Sequence, residues 1–119
     1  MKAILLVSHG SRSPKTKEEI STLVALLSRQ LPGSIVDHAF LEIEPPSIPE
    51  GIDQCVLKGA GEIIVTLNFL NSGRHVDNDI PAIVEAARAK YSHITFKISK
   101  PIGQHPQIPD LFIDIINNI

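Results

Sequence analysis

Cysteine occurs once in the sequence, at Cys55, so no disulfide can close within the chain, which suits a reducing cytoplasm. Long apolar runs are missing too, and nothing approaches the ~18 residues of a membrane span. The opening MKAILLVSHG is too short for a signal peptide and lacks a cleavage-site pattern; it reads as a first strand. Basic charge is not in excess. Eleven Lys and Arg against 13 Asp and Glu give a formal net charge of -2, which leaves no electrostatic footprint for nucleic acid. Low-complexity tracts, long runs of one charge, internal repeats and linkers are likewise absent. What is there is ordinary for a soluble globular protein: 43% hydrophobic and 20% charged over 119 residues. That length predicts one domain, 1–119, with a real core and no room for a second.

Four apolar runs alternate with four helical patterns. Lys2–Val7 is continuous in the way of a strand buried on both faces. Ser13 offers a helix N-cap with Pro14 behind it, and Ile20, Leu23, Val24, Leu27 and Leu31 form one apolar stripe that Pro32–Gly33 ends. Ser34–Leu41 is a second strand, and Pro45–Pro46 end its pairing. The capping box from Ser47 to Glu50 starts a helix that runs to about Lys58 and stops at Gly59. Glu62–Leu67 is a third strand; Ile80–Lys90 is a helix capped by Asn78 or Asp79, with Pro81 in its first turn. Thr95–Ser99 is a fourth strand, Lys100–Pro109 a loop, and Asp110–Ile119 a short final helix with Leu111/Ile115 and Phe112/Ile116 as its pairs. The order βαβαβαβα predicts an α/β fold: a four-stranded parallel sheet, order 2-1-3-4, with helices on both faces. Its switch point lies between the first and third strands, so function belongs in the loops after strands one to three.

Three chemistry-bearing residues meet at that edge. His9 follows strand one, Glu42 follows strand two, and His75 follows strand three within FLNSGRHVDNDIP. Two imidazoles and a carboxylate form a candidate set of ligands for Co2+, Ni2+, Fe2+ or Zn2+ that leaves coordination positions open. A single histidine in a strand-end loop is more often a satisfied polar residue; two flanking a switch point weigh the other way. His38, His93 and His105 read as structural or exposed, Cys55 as core, and Asp77 and Asp79 as loop and cap residues. The same architecture also carries receiver and mononucleotide modules. No strand end here has an acidic phosphoacceptor cluster, and no loop is the Gly/Ser/Thr run that cradles phosphate.

LLVSHGSR, FLEIEPPSIPEGI, FLNSGRHVDNDIP and KPIGQHP, in that order and across nearly the whole chain, resemble the small sirohydrochlorin cobaltochelatases of the CbiX type, class II tetrapyrrole chelatases. The resemblance implies a chelatase inserting a divalent metal, Co2+ foremost and Ni2+ or Fe2+ otherwise, into sirohydrochlorin for cobalamin- or siroheme-type biosynthesis. It implies His9 and His75 as metal-binding and catalytic residues with Glu42 as proton acceptor or third ligand. Ser11, Arg12, Lys15, Ser72 and Arg74 lie in loops placed to meet the carboxylates of the macrocycle. It implies no organic cofactor, and a cytoplasmic homodimer whose two sites face a shared cleft. A non-catalytic carrier of metal or tetrapyrrole is the alternative. Where many relatives carry Glu-Pro-Ser-Ile, this chain has Pro45–Pro46–Ser47–Ile48, so an acidic group is displaced to Glu44 or missing. The His-rich loop of some relatives is absent.

Overall fold

A computed structural model describes residues 1–119. It contains β1 (Lys2–Ser8), α1 (Pro14–Gln30), β2 (Ile35–Phe40), α2 (Ile48–Leu57), β3 (Glu62–Leu67), α3 (Ile80–Lys90), β4 (Thr95–Ile98) and α4 (Ile108–Asn117). The strands form one parallel sheet in the order β2-β1-β3-β4, as alternating strands and helices require. The register sets Ser8 opposite Phe40 and Val7 opposite Leu67, so the first three strands end level at one rim.

Strand alternation divides the apolar residues between two unequal faces. Leu5 and Val7 of β1, with Ile63, Val65 and Leu67 of β3, pack beneath α2 and α3 against Ile52, Cys55, Ile80 and Val84. The opposite face holds only Leu6, Phe40 and Ile20, with Val24 against them, where α1 crosses β2. Leu23 and Leu31 of the expected α1 stripe stay 37% and 36% exposed, so this stripe is only partly covered.

The local signals for helix starts fare differently. At α2 the capping box is complete: the Ser47 hydroxyl accepts the Glu50 amide, and the Glu50 carboxylate accepts the Ser47 amide. Ser13 has the extended backbone of a cap, yet its hydroxyl makes no capping hydrogen bond. The Lys100–Pro109 loop contains a 3-10 turn at Ile102–Gln104, and α4 begins at Ile108, two residues before the position the pattern suggests.

Candidate metal centre

The site is built where β1, β2 and β3 end. Past its last strand pair, the ladder between the first two strands continues. Leu41 N–H donates to the Ser8 carbonyl (2.9 Å) and Glu42 N–H to the His9 carbonyl (3.1 Å), which sets His9 and Glu42 side by side. Gly10 permits this approach. It has φ +108°, and a Cβ there would lie 2.0 Å from the Glu42 carbonyl oxygen. His9 Nε2 then sits 2.6 Å from Glu42 Oε1, with Nδ1 3.3 Å from the Gly10 carbonyl.

His75 reaches the same rim on a helix that starts earlier than expected, which corrects the assignment of Asn78 or Asp79 as N-cap. Residues His75–Asp79 form a π turn running directly into α3. Pro81 supplies a physical reason: it has no N–H, and its ring would crowd the carbonyl four residues back in a regular helix. The wider turn, in which Ile80 N–H donates to the His75 carbonyl, accommodates it, and such turns concentrate at functional sites. Asp79 therefore has helical angles (φ -67°, ψ -48°) and caps nothing. Its Oδ2 lies 2.7 Å from His75 Nδ1, so the carboxylate accepts a hydrogen bond from Nδ1–H and leaves the Nε2 lone pair free to ligate.

Together, His9, Glu42 and His75 each offer one ligand atom, all within 4.8 Å of one another, and the two rings lie 5.4 Å apart, tilted by 51°. The three side chains are 45%, 52% and 44% exposed, so the cluster faces solvent. Arg74, Ser72 and Leu70 line a cleft of about 270 Å3 beside His9 and His75. Ser11 and Arg12 line a second one with Ile43 and Glu44. Arg12 and Arg74 are exposed, while Ser72 accepts a hydrogen bond from Gln104. Lys15 lies outside both clefts, on α1. Glu44 is not in the cluster. Its Oε2 accepts the Ser11 amide at 2.7 Å and ties the first loop to the second.

The other expectations are met or resolved by contacts. His38 is half-buried, edge-on to Phe40; His93 is exposed; His105 is exposed, and its Nδ1 accepts the Gln107 amide. Cys55 is fully buried, and burial pushes its thiol up to about 11. The sequence reading missed Asp79 as the partner of His75; the i,i+4 spacing was present, but Pro81 disguised where the helix starts. It also missed Ile43 and Leu70, which are 54% and 63% exposed in the rim loops. Ile43 takes φ +76°, a costly conformation for a β-branched side chain and one found where a site holds strain.

This fold and site define an α/β domain with a candidate set of metal ligands at the switch-point rim. The CbiX family profile matches residues 3–119, and the chain belongs to that family. It is 38% identical over 109 residues to the sirohydrochlorin cobaltochelatase of Priestia megaterium, covering 90% of this chain and 35% of that protein. It is 32% identical over 115 residues to the chloroplastic sirohydrochlorin ferrochelatase of Arabidopsis thaliana, covering 97% and 49%. The sirohydrochlorin chelatase SirB from Bacillus subtilis subspecies spizizenii, solved in complex with cobalt, superposes with a TM-score of 0.89 at 30% identity, covering 99% of this chain and 50% of that one. The chain thus spans between a third and a half of the length of these relatives.

Proposed function

We propose that the chain, acting as one domain, inserts a divalent metal into sirohydrochlorin, with Co2+ its foremost substrate and Fe2+ or Ni2+ the alternatives. The observation that carries this reading is the convergence of His9, Glu42 and His75 from three strand ends. Relatives named for both cobalt and iron support the substrate class and leave the choice of metal open.

In this reading the two Nε2 atoms hold the incoming ion. Neutral imidazoles suit borderline divalent metals and release them again. Asp79 and the Gly10 carbonyl engage the opposite ring nitrogens, so both rings present the same edge. Glu42, 2.6 Å from His9 Nε2, occupies a position to accept a pyrrole proton or to be a third ligand. Ile43 and Leu70 offer apolar contact to the macrocycle, and Ser11, Arg12, Ser72 and Arg74 meet its carboxylates. One chain supplies an open rim, so two copies forming a cytoplasmic homodimer provide the facing walls.

Anaerobic incubation with sirohydrochlorin and Co2+, Ni2+ or Fe2+, followed by visible absorption, tests the reading. Metallation should exceed the uncatalysed rate and fall to it in His9→Ala and His75→Ala. Binding without acceleration for all three metals would make the chain a carrier instead.

A further inference from the structure

Ile43 is the one residue other than glycine with a positive φ, +76°. The Glu44 N–H donates to the Glu42 carbonyl across it at 2.9 Å, which makes a γ-turn of the rare, strained hand. Glycine takes this conformation freely; a β-branched side chain does not. Packing returns little of the cost, since Ile43 remains 54% exposed. Strain of this kind persists only where the surroundings over-determine the backbone.

The braces can be named. Leu41–Pro46 is a loop closed at its base, where the Phe40 N–H donates to the Pro46 carbonyl at 2.8 Å. Along its length it is tied to the loop after β1. Leu41 meets Ser8 and Glu42 meets His9 through backbone bonds, and Glu44 meets Ser11 through its side chain. Ile43 is the residue skipped. The last tie is a carboxylate accepting a backbone N–H at 2.7 Å, about twice the strength of a neutral bond. With Glu42 held before the turn and Glu44 after it, Ile43 cannot relax to an ordinary φ without breaking a tie.

The strained residue also stands beside the donors. It follows Glu42, and a Cβ on Gly10 would lie 3.5 Å from its own Cβ, so it rests against the loop that carries His9. Leu70, 63% exposed, lines the cleft beside His9 and His75 on the loop after β3.

We propose that Glu44 is a positioning residue: its bond to the Ser11 amide holds the strained turn, and the turn keeps Ile43 raised beside the metal donors as a rigid apolar contact for the face of the macrocycle. This rests on the reading of the chain as a sirohydrochlorin-binding domain, and it assigns affinity for the ring to residues other than those that hold the ion. A side chain carried on a braced turn loses little further freedom when a flat ring lands on it, which is how preorganisation raises affinity.

Thermal unfolding and absorption titration with metal-free sirohydrochlorin separate this role from a structural one. Ile43→Gly removes the strain and the contact together. It should raise the thermal midpoint by about 2–4 °C and weaken ring binding about 10-fold, with Co2+ affinity unchanged. Glu44→Ala should lower the midpoint and weaken ring binding to a similar extent, and Glu44→Gln should recover part of both. In the Ile43→Gly background, Glu44→Ala should add no further loss of ring binding. A midpoint that falls in Ile43→Gly, ring affinity unchanged by it, a full second loss from Glu44→Ala in that background, or no ring binding by the unaltered chain would each overturn the proposal. A ring that binds with the expected pattern but is never metallated would uphold it and count against the insertion activity alone.

Discussion

His75 shows how a single residue acquires a role from its neighbours. Asp79 fixes which ring nitrogen carries the proton, so Asp79→Ala should weaken Co2+ binding by about 10–100-fold, the usual effect of removing such a partner. Asp79→Asn, which keeps an acceptor, should recover part of the loss; isothermal titration measures both. At Cys55 the opposite holds. Buried, and with its thiol pushed up to about 11, it should resist a thiol reagent at neutral pH until denaturant is added. The candidate ligands and Cys55 were legible from residue type and position. Asp79 was not, because a proline in the helical pattern suggests a start where the chain has only a widened turn.

At the scale of elements, two contacts set how neighbouring segments are held, one at the rim and one between helices. Gly10→Ala would drive a Cβ into the Glu42 carbonyl and strain φ +108°, so it should cost about 1–3 kcal/mol in urea unfolding and weaken metal binding as His9 and Glu42 part. Away from the rim, the Tyr91 hydroxyl at the C-terminal end of α3 donates to Asp53 on α2 and, with Lys90, holds that carboxyl below its ordinary range. A lowered carboxylate contributes stability that is fully present above the unfolded value near pH 4 and is lost as pH falls through the folded one. Tyr91→Phe should therefore lower the thermal midpoint at pH 6, and the difference from the parent should shrink as the buffer is taken below pH 4. Strand order and helix identity were readable because the apolar runs alternate with helical patterns along the whole chain, with a complete capping box at α2. The partial cover of α1 was not, since an apolar stripe records what a helix would bury and not whether the partner surface is present.

For the whole molecule, the sheet is a device for bringing distant residues together. The level ends of β1, β2 and β3 turn three loops into one rim, and the donors on that rim lie within 4.8 Å of one another. Topology made that convergence legible before any coordinate, because parallel strands with right-handed crossovers put their following loops at one edge. The exposed apolar face of α4 could not be read the same way, since its i,i+4 pairs are equally those of a helix folded onto its own core. The measurement that bears most directly on the rim is X-ray absorption of the Co2+-loaded protein. The account predicts one ion per chain with two imidazole nitrogens in its shell, one of them lost in His9→Ala and one in His75→Ala; an unchanged shell in both variants would contradict it.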